Sequence, residues 1–258
     1  MQSLLSGQIA QFIDQGFIKI ENAFSKEIAD ECRAILWNAT GCNPSDPTSW
    51  TEPVIRIGEL TNPPFIEAGN TPRLLKAFYQ LAGDNWIKKE SMGSFPIRFP
   101  VKKEAIDTGW HVDAGFPGEH IQDYFQWRIN IKSRGRALLM LFLFSDVTDA
   151  DAPTLIKIGS HKDVSRLLMP YGDSGRSFSE LADKLSDLPS RPIASATGSA
   201  GTVYLCHPFL IHSAQNHAGL HPKFMAQPAL LSKKDFNIDP KIGEHCPIEQ
   251  AILQGIIS

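Results

Sequence analysis

From about Trp86 onward, the chain consists of short runs rich in β-branched and aromatic residues, each bounded by Gly, Pro, Asp or Ser. Such runs are typical of β-strands that are separated by turns. The stretch 161–188 instead has apolar residues at helical spacing, which predicts a helical insertion crossing the mouth of a barrel. We predict strands near residues 86–99, 124–132, 137–145, 153–158, 202–206 and 222–228.

The residues before and after this region favour helices. Apolar periodicity and capping residues predict three helices before Trp86, with a short strand at 17–20, and one short helix at the end of the chain. A β barrel of this length commonly forms a single domain. We therefore expect one domain over residues 1–258. It would comprise a helical buttress (1–85), a barrel core (86–232) and a C-terminal tail (233–258).

Composition restricts the class of protein. With 42% hydrophobic and 21% charged residues, the chain can bury a core, which excludes a disordered, collagenous or coiled-coil protein. A formal net charge of -3 argues against a nucleic-acid partner, because such a partner requires a basic face. No apolar run reaches the roughly 18 residues of a membrane span. The first residues have no leader-like pattern, so we expect no membrane partner and a soluble, cytoplasmic protein.

Other motifs narrow the chemistry. The four cysteines have no C-x-x-C spacing, so neither a zinc knuckle nor a disulfide scaffold is indicated. The patterns G-x-S-x-G, G-x-G-x-x-G and G-x-x-x-x-G-K-[ST] do not occur. The sequence therefore lacks the motifs typical of hydrolases, dinucleotide-binding proteins and phosphate-loop proteins.

The strongest chemical signal is the motif Trp110-His111-Val112-Asp113. In an extended segment, side chains two residues apart point the same way, so His111 and Asp113 can present an imidazole and a carboxylate to one point. An H-x-D pair alone is a weak signal, because it also occurs on ordinary surfaces. A further histidine would complete a 2-His-1-carboxylate facial triad, the arrangement of non-haem Fe(II) oxygenases.

Two histidines, His207 and His212, lie about a hundred residues later, at the end of another predicted strand. Either could supply the missing imidazole. Their odd spacing would place them on opposite faces of a continuous strand, so both do not easily serve one metal. Pro208 favours a bend directly after His207, and the apolar run that precedes His212 can pack into the barrel.

Several further motifs accompany this pattern and extend over most of the chain. They are Gln15-Gly16-Phe17-Ile18, Ala152-Pro153-Thr154, Gly159-Ser160-His161, Gly201-Thr202-Val203-Tyr204 and Phe224-Met225-Ala226-Gln227-Pro228. With the H-x-D motif and the distal histidines, the chain resembles the phytanoyl-CoA dioxygenase family of Fe(II)- and 2-oxoglutarate-dependent oxygenases.

The resemblance implies a fold, a set of cofactors and a reaction. The fold is mainly β with flanking helices around a double-stranded β-helix, a jelly-roll core of cupin type. The metal ligands and catalytic residues are His111, Asp113 and His212, with Fe(II), 2-oxoglutarate and O2 as cofactor and cosubstrates. The reaction hydroxylates or otherwise oxidises a small organic substrate, with release of succinate and CO2. Halogenating members of the superfamily have a small residue at the carboxylate position, so Asp113 indicates oxidation without halogenation.

The resemblance also assigns residues to the cosubstrate. Family members usually have an arginine after the distal histidine that pairs with the far carboxylate of 2-oxoglutarate, and the corresponding residue here is Lys223. Lysine supplies a point charge without the bidentate fork of guanidinium. Thr154 and Gln227 are the further candidates for hydrogen bonds to the cosubstrate.

Three aromatic residues near the metal motif are candidates for the substrate pocket, and two other functions are compatible with the sequence. Phe116, Tyr124 and Trp127 follow the metal motif and are candidates for the pocket lining. A non-catalytic jelly-roll protein that binds a small ligand is the main alternative, favoured by the lysine at position 223. A second is an enzyme with the same triad but another metal or hydrolytic chemistry. We expect a monomer or a weak dimer.

Overall fold

The computed structural model describes residues 4–119, 121–241 and 243–257, which form helices and antiparallel strands. The helices are α1 (Ser6–Gln15), α2 (Lys26–Thr40), α3 (Pro63–Gly69), α4 (Pro72–Ala82), α5 (Ser160–Leu168), α6 (Phe178–Ala182) and α7 (Pro247–Ile257). The strands are β1 (Phe17–Ile20), β2 (Val54–Ile57), β3 (Phe95–Arg98), β4 (Arg128–Ile129), β5 (Leu138–Leu143), β6 (Leu155–Lys157), β7 (Arg176–Ser177), β8 (Ile193–Ser195), β9 (Val203–Cys206), β10 (His212–Ser213), β11 (Met225–Ala226) and β12 (Ala229–Leu230).

The predicted helix boundaries before Trp86 are set by local capping. Gly16 ends α1 in the left-handed conformation, with φ of 87°. The Ser25 hydroxyl accepts a hydrogen bond from the main chain of Ile28 at the start of α2. Thr71 caps α4 in the same way through the main chain of Leu74. These contacts confirm the helices that the sequence predicts there.

The largest sheet has the strand order β1-β9-β5-β11, with β12 also paired to β5, and every pairing is antiparallel. Strand β5 lies inside this sheet and all six of its residues are buried. Leu138, Met140 and Phe142 pack into the core shared with the N-terminal helices, whereas Leu139 and Leu141 point to the opposite face. The period of two and burial on both faces explain why this strand is a continuous apolar run.

A second sheet has the strand order β10-β6-β8. Its side chains and those on the inward face of the first sheet together form a separate apolar cluster. Ile156 of β6 joins Leu139, Leu141 and Tyr204 in this cluster, together with Met225. The two sheets thus enclose the interior of the β structure, and the helices cover the outer face of the larger sheet. Strand β10, which begins with His212, brings the distal histidine to the rim of this interior.

Some predicted boundaries differ from the structure. The strand expected at 86–99 is confined to Phe95–Arg98, and the segment expected at 124–132 begins with a 3-10 turn over Tyr124–Gln126 before β4. Helix α3, which begins at Pro63, is a fourth helix before Trp86, where three are expected from the sequence. A proline in the first helical turn loses no hydrogen bond, so this proline starts a helix. The insertion expected at 161–188 is broken by strand β7.

The C-terminal helix α7 packs against α5 and α1, with Ile248 and Ile252 fully buried. Gly255 approaches the main chain of Lys162 so closely that an added Cβ would lie 2.7 Å from its carbonyl oxygen. This close approach needs a residue without a side chain. Within the described parts of the chain, no helix is both long and apolar enough to cross a bilayer.

Candidate metal centre

His111 and His212 face each other across an antiparallel bridge. The main-chain nitrogen of each donates to the carbonyl oxygen of the other, and both N–O distances are 3.0 Å. Val112, which follows His111, is buried in the core shared with the helices. The flanking His111 and Asp113 side chains therefore project to the opposite side, as the alternation of an extended segment requires.

Both imidazoles are oriented by main-chain carbonyls. Nδ1 of His111 lies 2.8 Å from the carbonyl oxygen of Gly109, and Nδ1 of His212 lies 3.0 Å from that of Leu210. Since a carbonyl only accepts, each Nδ1 carries a proton, and Nε2 is the ring nitrogen that can offer a lone pair to a metal. This is the tautomer that metal-binding histidines usually adopt.

The three side chains converge on one point. Nε2 of His111 and Nε2 of His212 each lie 3.8 Å from Oδ1 of Asp113, and the three ligand atoms all lie within 4.8 Å of one another. Burial lowers the pKa of His212 to about 4, an effect to which the neighbouring His111 adds, so this imidazole is neutral near pH 7. Two imidazole nitrogens and a carboxylate oxygen on one side fit a divalent transition metal.

The carboxylate of Asp113 is held by a cation that the sequence analysis missed. Arg136 Nη1 donates to Asp113 Oδ2 at 3.2 Å, and Arg136 Nη2 donates to the carbonyl of Ala114 at 3.0 Å. Burial alone would raise the pKa of Asp113, but Arg136 and the two imidazoles outweigh it and hold that pKa below its usual value. Only the position of Arg136 directly before the apolar run of β5 marks it in the sequence.

Gln227, a candidate for cosubstrate binding, lies next to the predicted metal ligands. Its amide nitrogen is 3.0 Å from Nε2 of His212, and its hydrogen bond helps to lower the pKa of Asp113. The side chain of Gln227 therefore borders the point where the three ligand atoms meet. This placement brings together four of the residues singled out from the sequence.

Lys223 lies deeper in the fold. Its side chain is buried, its ammonium group donates to the carbonyl oxygen of Ala152, and its main chain exchanges both hydrogen bonds with Arg98. Burial, assisted by the charge of Arg98, lowers the pKa of Lys223 to about 7. Arg98 is itself buried and pairs with Asp107 at 2.7 Å. Two buried cations thus lie side by side, and the sequence analysis singled out only one.

A line of side chains connects the triad to this lysine. Phe224 and Ala226 pack on the helix side of the sheet, whereas Met225 packs inside the β structure. By the same alternation, Lys223, Met225 and Gln227 share the inner face. The Thr154 hydroxyl contacts the sulfur of Met225 at 3.8 Å. Thr154 therefore lies beside Met225, the middle residue of these three.

His207 is separate from this arrangement. It is fully buried beside His161, with ring centroids 4.9 Å apart, and its Nε2 faces the carbonyl of Ile248 in α7. Its Nδ1 accepts a hydrogen bond from the main chain of Phe209. Burial lowers the pKa of His207 well below the usual value. Its contacts are those of a neutral histidine within the helical side of the core.

Aromatic side chains flank the exposed edge of the triad. The ring of Phe178, the first residue of α6, lies 5.7 Å from that of His111 and 5.5 Å from that of Tyr124. The ring of Trp127 lies 5.7 Å from that of Tyr124 in a tilted arrangement, and Phe125 packs edge-on against Phe178. Sequence periodicity predicted Phe178 as a helix residue only. The insertion that carries it reaches the triad.

Phe116 has a different neighbourhood from the other two predicted pocket residues. The guanidinium of Arg134 lies 5.2 Å from the centre of its ring. Its main chain pairs with Arg128. Among the described residues, ring contacts connect Tyr124 and Trp127 to the triad through Phe178, and Phe116 takes no part in them.

Several solved structures have a fold similar to that of this chain. HygX from Streptomyces hygroscopicus, with nickel and 2-oxoglutarate bound, has a TM-score of 0.55 and 16% identity over 87% of this chain and 86% of its own. EctD from S. alaskensis, with 2-oxoglutarate and 5-hydroxyectoine, has a TM-score of 0.55 and 18% identity over 89% and 75% of the two chains. A third similar structure is the non-heme alpha ketoglutarate dependent carbocyclase SnoK from nogalamycin biosynthesis (TM-score 0.59, 15% identity, 88% and 84% coverage).

These similarities confirm the expected jelly-roll fold. No curated protein matches the sequence significantly. The family model for phytanoyl-CoA dioxygenase (PhyH) matches residues 12–225, which include all three residues of the triad. The chain therefore belongs to the phytanoyl-CoA dioxygenase family and is an Fe(II)- and 2-oxoglutarate-dependent oxygenase.

Proposed function

We propose that His111, Asp113 and His212 hold the iron, and that the enzyme hydroxylates or otherwise oxidises a small organic substrate with release of succinate and CO2. The observation that carries the proposal is the convergence of two Nε2 atoms and one carboxylate oxygen within 4.8 Å. Both imidazoles are already in the tautomer that metal binding requires. Iron bound there would supply the redox chemistry that activates O2 and leave coordination positions for the cosubstrate.

The protein contributes placement and charge. The two histidines are fixed both by their mutual main-chain hydrogen bonds and by the Nδ1 contacts. Asp113 stays ionised because its pKa is lowered, so it offers a charged ligand at neutral pH. Such preorganisation reduces the free energy needed to assemble the site when the metal binds.

We assign the far carboxylate of 2-oxoglutarate to Lys223. This lysine is buried and has a main-chain carbonyl as its hydrogen-bond acceptor, and no carboxylate within 4.0 Å of its ammonium group among the described residues. A dicarboxylate that extends from the triad along the inner face would pass Gln227 and Thr154 before it reaches this cation. Arg98 beside Lys223 is already paired with Asp107, so the cosubstrate carboxylate is assigned to the lysine alone, which binds as a point charge.

The substrate is assigned to the aromatic side of the triad. His111 is the more exposed imidazole, at 23% against 2% for His212, so solvent reaches the centre from the side of Phe178. Tyr124, Phe125 and Trp127 continue this wall, and the first two are exposed. An apolar or planar part of a small molecule would lie against these rings. HygX and EctD have been solved with hygromycin B and 5-hydroxyectoine bound, which supports a small-molecule substrate here.

Two measurements test the proposal. Protein loaded with Fe(II) under anaerobic conditions is first titrated with 2-oxoglutarate in a calorimeter, and O2 is then admitted while succinate is measured. We expect binding and succinate formation that both require the metal, and the Asp113→Asn variant serves as the matched control. Iron-loaded protein that binds no 2-oxoglutarate would overturn the assignment. Binding without succinate formation would instead identify a non-catalytic ligand-binding protein.

A further inference from the structure

The two carboxylate oxygens of Asp113 have different partners. Oδ1 is the atom that faces the imidazoles, at 3.8 Å from each Nε2. Oδ2 accepts the hydrogen bond from Arg136 Nη1 at 3.2 Å. The guanidinium thus occupies the side of the carboxylate that is turned away from the centre of the triad.

Arg136 is itself firmly placed. Its second terminal nitrogen donates to the carbonyl of Ala114, the residue after the ligand, so one planar fork holds both the Asp113 side chain and the adjacent main chain. The carbonyl of Arg136 accepts from the Ser133 hydroxyl at 2.7 Å, which fixes the turn before β5. Only 12% of the Arg136 side chain is exposed.

We propose that Arg136 is a positioning residue for the metal centre: it engages Oδ2 so that Asp113 binds the metal through Oδ1 alone. The inference rests on the proposed function of the triad. Were Oδ2 free to rotate inward, the carboxylate could take two coordination positions, and fewer would remain for 2-oxoglutarate and O2. Partners that orient a ligand in this way typically change metal affinity by about 10–100-fold when they are removed.

The sign of the effect separates positioning from charge. Arg136 is a cation near a site for a dication, so its charge alone opposes metal binding. Removal of the charge without any loss of orientation would therefore strengthen metal binding. A loss of affinity on removal requires that the hydrogen bonds to Asp113 and Ala114 matter more than the repulsion.

The test measures Co(II) affinity of the full chain by competition with a chromogenic chelator, together with the visible spectrum of bound Co(II). We compare wild type with Arg136→Gln and Arg136→Lys. Lys132→Gln is the matched control. Lys132 lies four residues before Arg136 and pairs with Asp173 at the surface, so the variant also removes one positive charge. We expect Arg136→Gln to weaken Co(II) binding by about 10–100-fold and to change the spectrum, with the control unchanged.

Arg136→Lys keeps the charge but has no fork, so it too should weaken Co(II) binding and alter the spectrum. This variant decides the question if Arg136→Gln does not fold, as judged by circular dichroism. Affinities and spectra equal to those of wild type in the folded variants, or tighter binding, would overturn the positioning role while leaving the proposed function intact. Failure of wild type itself to bind Co(II) would overturn both.

Discussion

His111 and His212 exchange both of their main-chain hydrogen bonds, so the two imidazoles of the triad are a directly opposed pair in an antiparallel bridge. One extended segment and one strand end are thereby held in a single register. A slip of one residue would turn either imidazole to the other face. The geometry of the proposed metal centre is therefore fixed by the backbone before any metal binds.

The first prediction separates the two distal histidines. His212→Ala should abolish iron binding, because its Nε2 is one of the converging ligand atoms. His207→Ala, an equally buried imidazole that faces α7, should retain the metal while losing about 2–4 kcal/mol of unfolding free energy to the cavity. Metal content after desalting and thermal unfolding measure both effects. The reverse pattern of metal contents would contradict the assignment.

The second prediction concerns the cosubstrate cation. Lys223→Met keeps most of the side-chain volume and should leave metal affinity unchanged. It should weaken 2-oxoglutarate binding by about 1.5–3 kcal/mol, the scale of a hydrogen bond to a charged group. Lys89→Met is the control, because the Lys89 ammonium is also largely buried and also donates to a carbonyl, that of Ala229. Calorimetric affinities of Lys223→Met equal to those of the control would show that another cation binds the carboxylate.

The third prediction is a pH dependence of 2-oxoglutarate affinity. Burial lowers the pKa of Lys223 to about 7, so the ligand-free protein loses this charge as the pH rises through neutrality. If only the charged lysine binds, affinity should fall about tenfold between pH 6 and pH 8. Lys223→Arg keeps its charge over this range, so its affinity should stay level. A wild-type affinity that is constant with pH would show that the lysine is charged throughout.

The fourth prediction concerns acid stability. Burial lowers the pKa of His161 to about 4, against about 6.5 in an unfolded chain. The unfolded state therefore binds more protons below pH 6.5, and stability present above that pH is lost as the pH falls towards 4. His161→Gln should reduce this loss, whereas His221→Gln, at an exposed site, should follow wild type. Denaturant midpoints between pH 4 and pH 7 provide the measurement, and identical profiles for all three proteins would contradict it.

The sequence predicted His111 and Asp113 as a pair because H-x-D in an extended segment obeys a local geometric rule, whereas the choice of His212 over His207 also depended on the family resemblance. It also predicted the buried strand β5, where unbroken apolar character reflects burial on both faces. Arg136 and Arg98 were missed because their importance comes from partners distant in sequence, Asp113 and Lys223. Phe178 was recognised only as part of a helical pattern. Periodicity identifies the apolar face of a helix, but it does not identify the residue that this face contacts, which here is His111.

The pairing of β1 with β9 has a consequence for how the protein folds. Phe17 lies opposite Cys206, so the first strand pairs with a segment about three quarters of the chain length further on. The entropy of closing so long a loop is lost before the contacts of the sheet are gained. During synthesis, β1 leaves the ribosome long before β9 exists, and the largest sheet acquires its outer strand only after most of the chain has been made.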